Sequence, residues 1–270
     1  MKISLSLVFL LYGFAHACDF RPEVSKVYSL SGPVTIALKN IGLLSSPKLK
    51  GISVFNPVSS EEFKGKVLPG GIFLSREMVE EFKGGLVFYD EGRDLARMFE
   101  GIPTVTSIKI VTRGFFPEQV TELSIKALMP FTNSCERQFK LFQEKSENLS
   151  QKILKLIPEN FSAVFFLGEI RAGRLPELVI ANDGIVKWLR EKKKIKTYPS
   201  ELAYVNWSSK VIQGLDKSFL KVGVKDSSAE MIRDFKKLDE KSFNMTFPGA
   251  LVPGVSQQEA WLYFLENYRP

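Results

Sequence analysis

The chain has 270 residues, 44% apolar, 12% aromatic and 25% charged. That composition is globular, with length for one or two domains, and excludes a disordered or low-complexity chain. The only histidine is His16 and the only cysteines are Cys18 and Cys135, so neither a His/Cys zinc site nor a Ser-His-Asp triad can be drawn freely.

Residues 1–17 read as a secretory signal peptide. Lys2 is a short basic start, Ile3 to Phe14 is almost continuously apolar, and Ala15-His16-Ala17 puts small residues before a cut at Cys18. A membrane anchor fits less well, because a spanning helix needs roughly 20 apolar residues. Removal of this leader takes away the histidine and Lys2, so the net charge falls from +7 to +6. Export places the mature chain in the periplasm, where two cysteines point to one Cys18–Cys135 disulfide. A lipid on Cys18 is the alternative, although Ala15 stands where a lipoprotein signal usually has Leu. Two reduced, buried thiols are the third.

In the mature chain Val27 to Leu30 reads as a buried strand, and Pro33 opens a helix that ends at Gly42. A strand over Lys50–Phe55, a helix over Ser75–Phe82, a strand over Leu86–Tyr89 and a helix over Arg93–Phe99 follow. Ile102 to Val111 carries β-branched residues, and Pro117 opens a helix to about Leu128. Asn133 to Ile157 is a single helical pattern without Gly or Pro, capped by Asn133 and Glu136. Its apolar stripe is Phe139, Phe142, Leu149, Ile153 and Leu156, interrupted by Ser146. The alternation then restarts: strand Ser162–Ile170, helix Ile180–Lys193, short helix Ser208–Leu215, strand Leu220–Lys225, amphipathic helix Ala229–Leu238, strand Phe243–Phe247. A capping box over Ser256–Glu259 opens the last helix. Strands alternating with helices imply parallel pairing. The expected class is α/β: an amino-terminal lobe over 18–131, a connecting helix over 132–158 and a carboxy-terminal lobe over 159–270.

On these pieces the sequence resembles the class III bacterial solute-binding proteins of ABC importers, the group that binds cobalamin, heme and ferric siderophores. The matching segments are Val27-Tyr28-Ser29-Leu30-Ser31, Val67-Leu68-Pro69-Gly70-Gly71, Gly101-Ile102-Pro103, the long helix, and Ala163-Val164-Phe165-Phe166-Leu167-Gly168. The chain departs at Lys83-Gly84-Gly85-Leu86-Val87-Phe88 and in the charged stretch 230–241. The resemblance implies two Rossmann-like lobes joined by one long helix, with ligand in the cleft between them.

In open α/β sheets ligands sit beyond the carboxyl ends of the strands. Those ends are Ser31-Gly32, Phe55-Asn56, Tyr89-Asp90, Gly168 to Arg171 and Thr246-Phe247. With the resemblance, they give the candidate ligand contacts Phe55, Gly70, Gly71, Tyr89, Arg171, Arg174, Trp207 and Phe247. Glu77 and Glu201 are the candidate acidic residues for docking to a permease, although Lys210 stands where the second acid is expected.

An exported enzyme is the rival class, but Glu61/Glu62 and Asp239/Glu240 are adjacent in sequence, so on regular structure they point apart. A stand-alone scavenger or sensor of the same ligand is the third reading. No cofactor, no metal site and no nucleic acid partner is expected; the basic cluster Lys187 to Lys196 reads as a solvated helix face. The chain is expected to be a monomer whose partners are a small-molecule ligand and an ABC permease. A mature chain without His suits a preassembled chelate: corrinoid first, ferric siderophore second, heme third. Amino-terminal sequencing of the secreted protein is expected to start at Cys18; an intact Met1 in the soluble fraction overturns the export reading.

Overall fold

The computed structural model describes residues 18–68, 74–90, 96–99, 102, 104–159, 161–171, 174–180, 183–192, 194–197, 204–206, 219–226 and 233–268. The predicted leader and the predicted helix over 208–215 lie outside them. In chain order the first part holds β1 (Asp19–Phe20), β2 (Val27–Leu30), α1 (Gly32–Asn40), β3 (Leu49–Ser53) and β4 (Lys66–Leu68). Then come α2 (Arg76–Glu81), β5 (Leu86–Asp90), α3 (Ala96–Phe99), β6 (Thr106–Ile110) and α4 (Pro117–Leu128). The sheet order is β4-β3-β2-β5-β6, and every pairing is parallel. β2 is buried along its whole length, as a central strand covered on both faces must be. Ser31 caps α1 by accepting from the Val34 N–H, and Pro33 sits in the first turn, where a missing N–H costs nothing.

A short strand β7 (Thr132–Asn133) pairs antiparallel with β1. Beside it Cys18 and Cys135 form a disulfide with Cα atoms 4.5 Å apart. The bond fastens the first described residue to the start of α5 (Glu136–Leu156). It closes a separation of 117 residues, for which chain entropy gives roughly 4–5 kcal/mol as an upper figure. The Cys18 sulfur in this bond is not available for a thioether to lipid.

The second part holds β8 (Phe161–Leu167), β9 (Leu178–Ile180), α6 (Gly184–Glu191), β10 (Ile195–Lys196), β11 (Tyr204–Asn206) and β12 (Leu220–Asp226). It ends with β13 (Asp234–Lys237), β14 (Ser242–Phe247) and α7 (Val255–Asn267). β8, β12 and β14 are parallel; β9, β11 and β13 join antiparallel, and β10 pairs with β8. The purely parallel expectation therefore holds for the first sheet and fails at the edges of the second.

Four helix expectations change. Asn133 does not cap the long helix: it lies in β7, and the helix starts at Glu136 after Cys135. The predicted start at Ile180 is the end of β9, and α6 begins only after Asp183, whose carboxylate accepts from the Gly184 N–H. Val179 and Ile180 are an apolar strand run, which periodicity over so few residues does not separate from a helix. The described end of the predicted 229–238 helix is β13, where Phe235 stacks on Phe243 with ring centres 5.6 Å apart and the flanking charges face water. Charged side chains of this kind protect an edge strand. The last helix is preceded by Gly254, not opened by a Ser256 capping box; the Ser256 hydroxyl donates to the Pro248 carbonyl instead.

α5 serves two cores with one stripe. Phe139, Phe142 and Leu149 pack into the first lobe, Ile153 and Ile157 into the second. Leu156 is exposed and Ile157 takes its expected place, while Ser146 is fully buried. At about 1.5 Å per residue the helix is about 31 Å long. Ser146 is not a flaw in the stripe. Its hydroxyl donates to Gln258 Oε1 at 2.9 Å, and Gln258 Nε2 donates to the Ser146 carbonyl at 2.9 Å and to Ser150 Oγ at 2.7 Å. Ser150 donates onward to Glu118, and Thr121 Oγ1 lies 3.2 Å from Ser146 Oγ. The amide of a fully buried glutamine thus joins α4, α5 and α7 with all its bonds made. Gln258→Leu would leave the serine groups without their partners and is expected to lower stability by roughly 1–3 kcal/mol, read by urea denaturation.

The neighbouring residue gives a pH-dependent contact. Gln257 Nε2 lies 2.5 Å from Asp183 Oδ2, and Gln257 Oε1 has no hydrogen-bond partner among the described residues. Burial pushes the Asp183 carboxyl above its usual value, against the lowering effect of the Gly184 N–H and the Gln257 amide. The unfolded carboxyl ionises near about 3.9, whereas the folded one resists. The wild type therefore keeps this contribution below that pH and loses it as pH rises through the folded value. Asp183→Asn retains an acceptor for Gly184 and, once the Gln257 amide turns over, donates to Gln257 Oε1. It is expected to melt at higher temperature than wild type at pH 7.5, with the gain vanishing below about pH 4, as read by thermal unfolding across pH.

Candidate functional site

The first sheet changes winding direction between β2 and β5, since the chain runs outward through β3 and β4 before returning to β5. Ligands bind outside the carboxyl ends at such a switch. Here the strand ends are tied together: the Gly32 N–H donates to Asp90 Oδ2 at 3.3 Å. A buried polar cluster holds the neighbouring loop. Asn56 Nδ2 donates to Thr35 Oγ1 at 2.7 Å, and Thr35 Oγ1 lies 2.7 Å from Ser29 Oγ. With Asn56 fixed inward, Phe55 is presented outward and is 46% exposed.

The second lobe repeats the device. Asp226, at the end of β12, accepts from the Gly249 N–H at 2.7 Å. Gly249 has φ of +72°, a left-handed conformation that suits glycine, and a Cβ there would come within 2.6 Å of Pro57 Cγ in the first lobe. The turn from Phe247 to Gly254 reaches across the lobes: Val252 and Val255 belong to the first lobe's core. Gly32 admits it, because a Cβ on Gly32 would lie 2.9 Å from Val252 Cγ1. Between these parts lies a cavity of about 180 Å³, with Phe55, Asn56 and Asp90 on one wall, Asp226 on the other and Leu251 to Pro253 as the floor. The segments 69–73, 91–95, 172–173, 207–218 and 227–232, which follow strand ends or their loops, lie outside the described residues.

The predicted residues separate into four groups. Phe55 stands on the cleft wall. Tyr89 does not: its ring is buried with Tyr28, Phe82 and Phe99, and Asp90, the next residue on the strand, faces the cleft. Phe247 is also a core side chain, packed on Tyr263 with ring centres 5.5 Å apart. Gly70, Gly71, Trp207 and Glu201 lie outside the described residues. Arg171 and Arg174 are joined through their backbones beyond β8 and do not line the cavity. The Arg171 guanidinium is exposed and pairs with Glu169 at 3.0 Å. Lys225 first, then Arg171, hold the Glu169 carboxyl below its usual range. Such exposed pairs contribute little stability.

Glu77 is exposed in the first turn of α2, its carboxyl lowered chiefly by the Ser75 hydroxyl, then by its own N–H and by Arg76. Lys187, read as part of a solvated face, instead donates to the Gly114 carbonyl at 3.1 Å and lies over the Phe116 ring, tying α6 to the first lobe. Asp226 and the 251–253 floor were missed by the sequence reading. The strand-end rule would have found Asp226 had β12 been extended by one residue.

No protein-family profile matches the sequence, and no curated protein matches it at the sequence level. In three dimensions it is similar to a possible iron-binding (periplasmic solute-binding) protein from Staphylococcus epidermidis, at 14% identity and TM-score 0.62, over 90% of this chain and 98% of that one. It is similar to periplasmic heme-binding protein BhuT in complex with two hemes, at 10% identity and TM-score 0.64, over 89% and 96%. It is similar to periplasmic heme-binding protein HutB of Vibrio cholerae, at 12% identity and TM-score 0.62, over 91% and 99%. The α/β lobes, the joining helix and the cleft at the strand ends give this chain the two-lobed fold of the class III periplasmic solute-binding proteins.

Proposed function

We propose that this chain is an exported solute-binding protein that holds a metal chelate between its lobes and delivers it to an ABC importer. One observation carries the reading. The carboxyl ends of both parallel sheet centres converge on a single cavity, floored by a turn that already fixes one lobe against the other. Such a cleft is preformed, and a preformed site avoids part of the ordering cost of binding. The exposed Phe55 ring supplies an apolar face, and Asp90 and Asp226 supply polar edges. The structural neighbours named above are described as iron- or heme-binding, which favours a binding protein over an enzyme.

Chelate chemistry follows from what the mature chain holds. Its only histidine leaves with the leader, and both cysteine sulfurs are in the disulfide. A ligand whose metal is already enclosed needs no bond from the protein, so a corrinoid or a ferric siderophore suits the chain better than heme, which takes an axial ligand. Arg171 and Arg174 beyond β8 and Trp207 in the segment after β11 are the further candidate contacts. Glu77 on α2, with Glu201, is the proposed docking pair for the permease.

Calorimetric titration of the mature protein with cyanocobalamin, ferrioxamine B and hemin tests the reading. Saturable binding of one of them is expected, with Phe55→Ala and Trp207→Ala each weakening it by roughly 1–3 kcal/mol if the rings are buried anchors. No binding of any of the three by wild type overturns the ligand class. Unchanged affinity in a variant removes that ring from the site.

A further inference from the structure

We propose that a second cavity, sharing no lining residue with the cleft, is a binding site for a small oxyanion bearing a phosphate or carboxylate group. This cavity, of about 230 Å³, lies beside the carboxyl-terminal half of α1. Its walls come from elements of both lobes and the helix between them: Lys39 on α1, Lys145 on α5, Arg233 before β13, and Ser256 and Glu259 on α7. It is unlike the cleft in charge. The cleft wall carries Asp90 and Asp226, whereas this cavity carries Lys39, Lys145 and Arg233 against one lining carboxylate among the described residues, that of Glu259.

The hydrogen-bond inventory shows a surplus of donors. An ammonium has three N–H groups and a guanidinium five. Lys39 makes one ion pair, to Glu62 at 2.6 Å. Lys145 makes two contacts, to Glu259 at 2.7 Å and to Asn40 Oδ1 at 2.9 Å. Arg233 lies over the Phe247 ring at 4.7 Å and has no carboxylate partner among the described residues. The ring holds the cation in place but offers no oxygen to its N–H groups. Among the described residues, the counter-charges Glu62 and Glu259 balance two of the three cations and leave Arg233 as the excess. Guanidinium geometry suits two oxygens of one carboxylate or phosphate. Lys39 and Lys145, fixed by their partners, retain N–H groups for the remaining oxygens.

Phe247 thus acquires a role different from that of a cleft contact. Its ring is the platform that positions Arg233. An anion held here would bridge α1, α5 and the β13–α7 region, and so brace the two lobes against each other from outside the cleft.

The test is thermal melting and calorimetry of the mature protein with sodium phosphate and with sodium acetate, each against sodium chloride at matched ionic strength. A saturable heat and a rise in melting temperature with phosphate, acetate or both, beyond that in chloride, are expected. Arg233→Gln is expected to weaken the response at least tenfold. Lys140→Gln, the same change in net charge on the exposed face of α5, should leave it intact. An equal rise in chloride overturns the proposal, since it reports screening of the net positive charge. So does a response that Arg233→Gln retains, which places the anion elsewhere, or the absence of any response to both anions. Arg233 is exposed, so its replacement leaves the fold intact, and circular dichroism of the variant checks this.

Discussion

The buried amide of Gln258 is the contact on which the arrangement of the lobes depends. A glutamine at full burial is expensive unless each of its groups is matched. Here its oxygen and both N–H groups meet Ser146 and Ser150 on the connecting helix. The bonds are directional, so they fix the rotation and axial position of α7 relative to α5 in a way that apolar packing alone does not. Through Ser150 and Glu118 the same network reaches α4, in the first lobe. α7 belongs to the second lobe's core through Ala260, Trp261 and Phe264, and to the first through Val255. One helix is therefore shared between two cores and locked in register by a polar seam.

The cleft inherits its geometry from that lock. The turn that leads into α7 inserts Val252 beneath α1, against a glycine that has no Cβ to oppose it. The floor of the cavity is this same turn, so moving the lobes apart requires withdrawing Val252 and Val255 from the first core. Burial of such side chains stabilises by roughly 1.5–3 kcal/mol each. Lys187 adds a further tie between α6 and the loop before α4. A cleft held by so many connections has its walls fixed by the fold itself. Asp90 and Asp226 show how local this order is: the Asp90 carboxylate holds the first N–H of α1, and that of Asp226 holds the Gly249 N–H in the turn that shapes the cavity.

Charge is distributed between the two cavities by the same architecture. Strand ends that need to hold loop N–H groups call for carboxylates, and these face the cleft. The helix flanks around the second cavity carry lysines paired with glutamates, and Arg233, which has no carboxylate partner among the described residues, lies over an aromatic ring. The net positive charge of the chain is thus no guide to the sign of the field in either cavity. Position along the fold decides it.

The sequence by itself determined the alternation of strands and helices, the long helix between lobes and the position of most elements, because these follow from local periodicity, Pro at helix starts and long runs without breakers. Pro117 and Leu128 bound a helix as read, and Val27 to Leu30 is a strand as read. The strand-end rule brought Phe55 to the cleft wall without knowledge of any contact. Only the tertiary structure decided the rest. Tyr89 and Asp90 are neighbours in sequence, and pairing and packing set which one enters the core and which one meets the cleft. Ser146 looked like a break in an apolar stripe, and Gln257-Gln258 looked like part of a cap, until a residue 112 positions away gave Ser146 its partner. The 234–237 segment reads on its own as the end of an amphipathic helix, and becomes a strand because β14 offers it an edge. Local patterns fix local conformation, but a polar side chain's role depends on what the fold brings to it, and that information is not local.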